Sequence, residues 1–142
     1  MPSYNSTYTL DSKPLGSGGA AVVYGCTRIA DGERFAIKQL KDHEIKDKVE
    51  RFRREIDAMQ DLATKGIEGE GILPIVESNR EALWYVMPVA QSVRTKIEDL
   101  SKQQQIAFPV TTYQDTILDG IDGFIQLAET LEQIHVLGYV HR

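Results

Sequence analysis

The feature that most constrains the fold is a glycine-rich segment that leads into a strand rather than a helix. Residues 16–19 read Gly-Ser-Gly-Gly, and residues 21–24 read Ala-Val-Val-Tyr, whose β-branched side chains favour extended backbone. In dinucleotide-binding and P-loop folds the glycines open a helix, whose N-terminus holds phosphate. Between two antiparallel strands, glycines can form a flap whose backbone N–H groups approach a phosphate without an intervening Cβ. A flexible turn without a ligand is the alternative at this point.

Short apolar runs predict a small antiparallel sheet. The runs before and after Asp31 and Gly32 form a hairpin, because Asp-Gly favours the tight turn that joins two antiparallel strands. Two more runs follow the first helical segment. The five strands are expected at residues 8–15, 21–29, 34–40, 72–77 and 82–88.

Two segments have the periodicity of amphipathic helices. The first covers about residues 48–65, with Asp47 as its N-cap, and the second covers about residues 113–137, where Gly138 ends the helix. A short polar helix is expected at residues 91–102. The order indicates an α+β chain, in which a small sheet lobe with one helix precedes the start of a helical lobe.

Composition excludes several classes of protein. The chain has 142 residues, of which 42% are hydrophobic, and a net charge of −5 with scattered basic residues, which argues against a nucleic-acid platform. No signal peptide or apolar run long enough to cross a membrane is recognisable. The single cysteine, Cys26, excludes an internal disulfide or a Cys-rich metal site. Cytoplasm is the expected compartment.

Lys38 and Glu55 are a candidate charged pair. Strand alternation places Lys38 on the same face as the small Ala36, and Glu55 lies three residues after Phe52, beside the apolar stripe of the first long helix. A lysine that a glutamate holds inside a cleft would aim its charge at phosphate oxygens. A solvent-facing Lys38, or Glu50 as the partner, are the alternatives.

Two of these segments resemble protein kinases. Residues 16–23 are similar to the glycine-rich loop G-x-G-x-x-G-x-V, with alanine in place of the third glycine, and residues 35–38, Phe-Ala-Ile-Lys, are similar to the strand V-A-I-K. The resemblance implies that Lys38 binds the phosphates of ATP and that Glu55 holds it. Val23 and Ala36 would cover the adenine.

Residues 83–90 resemble the fifth kinase strand and the hinge that follows it. Met87 then matches the gatekeeper, and the Pro88 carbonyl and the Ala90 N–H would bind adenine. Proline can take the first of these two roles because it has a carbonyl oxygen and needs no N–H for it. A buried strand that ends at a proline is an equally compatible explanation of this segment.

His141 and Arg142 resemble the first two positions of the catalytic motif H-R-D-x-x-x-x-N. The Asp that accepts the substrate's proton, and the Asn and D-F-G aspartate that hold Mg²⁺, are not among the 142 residues, so no metal ligand is assigned. The resemblance implies ATP and Mg²⁺ as cofactors and γ-phosphoryl transfer to a Ser or Thr hydroxyl of a protein substrate. The 142 residues themselves are expected to be catalytically incomplete.

The resemblance implies three segments: a flexible N-terminus (residues 1–7), a kinase N-lobe with a five-stranded antiparallel sheet, ATP cleft and hinge (8–90), and a truncated start of the helical C-lobe (91–142). Lys38 and Glu55 are the candidate catalytic residues. The candidate nucleotide-binding residues are Leu15, Gly16, Ser17, Gly18, Gly19, Val23, Ala36, Lys38, Met87, Pro88, Val89 and Ala90.

Two other functions stay open. A non-catalytic kinase-like module would bind a partner through the apolar stripe of the last helix, residues 121–134, and the same uncovered stripe would favour self-association. A fragment of a small-molecule phosphotransferase of kinase-like fold is the other possibility, although the arginine at position 142 argues against it.

Overall fold

A computed structural model describes residues 4–67, 72–91, 99, 102 and 110–139. The chain divides into two compact units, one comprising the residues up to 69 together with 73–89, the other comprising residues 70–72 and everything from residue 90 onward. The elements are α1 (Tyr4–Thr7), β1 (Tyr8–Ser17), β2 (Ala21–Arg28), β3 (Arg34–Leu40), α2 (Lys46–Thr64), β4 (Glu77–Asn79), β5 (Trp84–Pro88) and α3 (Val110–Val136). The single helical turn α1 falls within residues 1–7, for which the prediction is a flexible N-terminus.

The five strands form one antiparallel sheet in the order β1-β2-β3-β5-β4, which confirms the predicted fold class. The hairpin between β2 and β3 turns at Gly32, whose φ of 76° is in the left-handed region that glycine adopts easily. The Arg28 N–H donates to the Glu33 carbonyl oxygen at 2.9 Å and closes this turn. The predicted Asp-Gly hairpin is therefore confirmed.

Strand alternation gives the sheet two apolar faces. One face carries the buried cluster of Tyr8, Cys26, Phe35, Ile37, Trp84 and Val86. On the other face α2 packs through Phe52 and Ile56 against Leu40, Leu83 and Tyr85. Ile56 is fully buried, and burial of such a side chain contributes roughly 1.5–3 kcal/mol to folding. This packing fixes α2 beside β3 and β5.

Two local predictions are wrong. The strand expected at residues 72–77 begins only at Glu77, because the apolar run contains Pro74, while the polar residues Glu77–Asn79 pair with β5 at the sheet edge. The N-cap of α2 is Ile45, whose extended backbone makes no side-chain capping bond, and Asp47 lies inside the first turn. An acidic residue is favoured at both places by the helix dipole, so the sequence does not distinguish them.

The second unit is dominated by α3. The N–H of Gly138, which has a φ of 86°, donates to the His135 carbonyl oxygen at 2.9 Å, and this confirms Gly138 as the end of the long helix. The helix expected at residues 91–102 falls mostly outside the described residues, and His141 and Arg142 fall entirely outside them. Within the described ranges, no helix combines the length and apolar character that a membrane span requires.

Candidate functional site

The glycine segment forms the turn between β1 and β2. The Gly18 N–H donates to the Ala21 carbonyl oxygen at 2.9 Å and closes the turn. A Cβ added at Gly16 or Gly19 would meet no atom within 4 Å, and one at Gly18 would meet only the Ala21 oxygen, at 4.0 Å. Neither crowding nor a positive φ explains these glycines. Glycines at these positions suit a surface that a ligand approaches closely, because they have no side chain in the way.

Two lysines hold this flap, which we define as residues 16–23. The Lys41 ammonium donates to Ser17 Oγ at 2.5 Å and to the Gly18 carbonyl oxygen at 2.8 Å. The Lys48 ammonium donates to the Gly19 carbonyl oxygen at 3.3 Å. The flap is thus connected to the chain segment that leads from β3 into α2.

Lys38 lies next to the flap on the face of the sheet that α2 covers. In the strand register it is opposite Val23 of β2 and Tyr85 of β5. Its ammonium forms an ion pair with Glu55 Oε1 of α2, and the two side chains are 25% and 36% exposed. Glu50, the other candidate partner, is instead paired with Arg54 at 3.3 Å. The structure therefore brings Lys38 and Glu55 together.

The sequence did not indicate that Tyr85 belongs to this group. Its hydroxyl donates to Glu55 Oε1 at 2.6 Å. Lys38 Nζ lies 5.7 Å from the centre of the Tyr85 ring and 5.8 Å from that of Phe52, distances at which an ammonium is attracted to aromatic rings. Burial raises the pKa of Tyr85, and the bond to Glu55 raises it further. Alternation along β5 puts Tyr85 on the same face as Met87, but the sequence gives no register between β3 and β5.

A cavity of about 720 Å³ lies between the flap and α2. This volume is within the usual range of small-molecule sites. Lys38, Lys48 and Arg51 contribute three positive charges, and Glu55 is the one carboxylate on the described lining. The lining consists of Gly16, Ser17, Gly18, Gly19, Ala20, Ala21, Val23, Lys38, Leu40, Lys48, Arg51, Phe52 and Glu55. A cationic cavity under exposed backbone suits a polyphosphate.

Comparison with known families supplies the deciding observation. The family model described as the protein kinase domain matches residues 9–142, nearly the whole chain. The chain belongs to the protein kinase family. A search of curated proteins gives no match.

Protein kinases generally use ATP and Mg²⁺. The described residues of this chain suit the phosphates of ATP better than they suit the metal ion. The triphosphate of ATP fits the cavity, because the flap leaves space for phosphate and Lys38 supplies positive charge there. Mg²⁺ prefers several oxygen ligands. Glu55 Oε1 already accepts from Lys38 and Tyr85, and across the described ranges no group of three or more His, Cys, Asp or Glu side chains could hold a metal ion. The described residues do not form a Mg²⁺ site.

Of the residues that kinase resemblance assigns to adenine, Val23 is on the lining of this cavity and the others are not. Ala36 and Met87 are opposite one another on β3 and β5, while Leu15 and Val89 are 57% and 49% exposed. None of these four belongs to the cavity lining, nor does Pro88. Ala90 falls in the second unit. The structure thus assembles the phosphate side of the predicted site, and the adenine side stays a prediction.

Proposed function

We propose that this chain is the ATP-binding portion of a protein serine/threonine kinase. The observation that carries the proposal is the Lys38–Glu55 ion pair on a cavity that the glycine flap covers. The triphosphate would lie beneath the flap. The adenine would lie against Val23, Ala36 and the segment from Met87 to Val89, with Leu15 at its edge.

In this proposal Lys38 binds phosphate oxygens and Glu55 keeps its ammonium in place. Phosphoryl transfer depends mainly on positioning and on neutralisation of charge, and a lysine that is already held contributes to both. The base and metal ligands of the kinase resemblance are not among the 142 residues, so we propose that these residues bind ATP without transferring its phosphate. The family match favours a protein acceptor, and cytoplasm stays the proposed compartment.

Thermal unfolding with ATP or adenosine tests the proposal. A ligand at one hundred times its Kd stabilises the folded state by about 2.7 kcal/mol, so ATP is expected to raise the Tm clearly. Lys38→Met is expected to weaken ATP binding about ten-fold or more, because it removes a charged hydrogen-bond donor, and to leave adenosine binding unchanged. Lys13→Met, which removes an exposed lysine of β1, is the control and is expected to bind both ligands normally. Equal ATP stabilisation of the Lys38→Met and Lys13→Met variants would contradict the proposal.

A further inference from the structure

We propose that Tyr85 is a positioning residue for Lys38, acting through Glu55. This inference rests on the proposed function, since it concerns how the phosphate-binding lysine is held. The group consists of Lys38 from β3, Tyr85 from β5 and Glu55 from α2.

The register of the sheet places the two donors side by side. Lys38 and Tyr85 are directly opposite one another on neighbouring strands, on the face that α2 covers. Both donate to the same carboxylate atom, Glu55 Oε1, with the tyrosine hydroxyl at 2.6 Å. A carboxylate that accepts two donors from a rigid sheet has less freedom to rotate than one that accepts a single flexible lysine. Tyr85 therefore determines where Glu55 presents its charge.

The contact of Glu55 with Tyr85 comes from a more deeply buried side chain than its contact with Lys38. Tyr85 is 3% exposed, and its ring packs on Phe52 with centroids 5.7 Å apart, so its hydroxyl has a fixed position. Phe52 is one helical turn before Glu55, and the ring contact therefore anchors the same part of α2. The Lys38–Glu55 pair by itself is partly exposed. Ion pairs with such exposure contribute little and exchange readily with water.

The chemistry of the phenol suits this role. Burial raises the pKa of Tyr85, so its hydroxyl stays protonated and donates throughout the neutral pH range. Replacement by phenylalanine keeps the ring and its packing but removes the donor. Glu55 can then rotate, and Lys38 loses its fixed direction toward the phosphate oxygens. The loss should appear for ligands with phosphates and not for the nucleoside alone.

The experiment measures Kd for ATP and for adenosine by calorimetry on the 142-residue chain and on Tyr85→Phe. Tyr8→Phe is the matched control, because Tyr8 is equally buried and is hydrogen-bonded to a glutamate, Glu77, on the opposite face of the sheet. Tyr85→Phe is expected to weaken ATP binding about three- to ten-fold and to leave adenosine binding unchanged. Tyr8→Phe is expected to change neither Kd.

Three outcomes overturn the inference: an ATP affinity of Tyr85→Phe equal to that of Tyr8→Phe, an equal loss for ATP and adenosine, or a further loss when Tyr85→Phe is combined with Glu55→Ala. The inference requires that the hydroxyl act through Glu55, so this double variant should bind ATP no more weakly than Glu55→Ala alone. If Tyr85→Phe does not fold, Tyr85→Met, which also lacks the hydroxyl, replaces it. These outcomes can be distinguished from a failure of the proposed function itself. In that case Lys38→Met would bind ATP as tightly as the unaltered chain.

Discussion

Gly25 lies on β2 directly beneath an ion pair between side chains of the two neighbouring strands. A Cβ there would lie 2.3 Å from Asp11 Oδ2 and 2.7 Å from Arg34 Nη2. These two residues, on β1 and β3, form a double hydrogen bond of 2.9 and 2.6 Å across β2. A Cβ at position 25 therefore requires these two side chains to move from this hydrogen-bonded position.

The pKa of Asp11 tests this arrangement. Its hydrogen bond to Arg34 holds the pKa of Asp11 below its usual value, so the pair contributes to stability above the ordinary aspartate pKa and loses that contribution as the pH falls through the lowered pKa. Gly25→Ala is expected to separate the pair and return the pKa of Asp11 toward its ordinary value. Carboxyl carbon NMR over an acid titration measures it, with Gly123→Ala as the control, because a Cβ at this exposed position of α3 meets no atom within 4 Å. An unchanged pKa in Gly25→Ala would contradict the role of Gly25.

The site residues show which contacts sequence patterns can anticipate. Lys38 and Glu55 were predictable, because strand alternation and helical spacing assign each to the correct face. Tyr85 was not, because its contact depends on the register between β3 and β5. That register is set by tertiary packing across a long sequence separation, and no local pattern encodes it.

At the scale of elements, α3 presents an apolar surface that the described residues leave exposed. Ile121, Phe124 and Ile125 share one side of the helix and are 49%, 70% and 50% exposed. A contiguous apolar surface of this kind favours association. We propose that it mediates self-association of the chain.

Sedimentation velocity over a concentration series tests this proposal. The unaltered chain is expected to sediment faster as its concentration rises, because the apolar surface becomes buried between copies. Phe124→Glu is expected to remove this dependence. Gln133→Glu makes the same change of charge at an exposed polar position of α3 and is expected to retain it. Identical behaviour of the two variants would exclude this helix face as the contact.

The predicted elements are correct where the apolar residues that repeat with a regular period are also the residues that become buried. The stripe of α2 was predictable because Phe52, Ile56 and Leu62 are the residues that become buried. The edge strand β4 was misplaced because its residues are polar and contribute hydrogen bonds rather than apolar contacts. Periodicity detects burial, so it does not detect a polar strand at the edge of a sheet.

At the scale of the whole molecule, the family assignment rests on the match to the protein kinase domain model, and the fold is consistent with it. The antiparallel sheet with α2 and the kinase-domain match to residues 9–142 agree with the succession of strands and helices in the sequence. The chain's first unit, taken by itself, contains the flap, Lys38, Glu55 and Tyr85. Contact between Lys38 and a bound triphosphate therefore involves residues of the first unit.

An ATP analogue with a reactive acyl group on its terminal phosphate tests this claim most directly, because it acylates a lysine that lies beside the bound phosphates. After proteolysis, mass spectrometry identifies the modified lysines. We expect the label on Lys38, with excess ATP abolishing it, even though Lys38 is half-buried and Lys13 and Lys46 are exposed. A label that favours Lys13 and Lys46 over Lys38, or that excess ATP leaves unchanged on Lys38, would contradict the account.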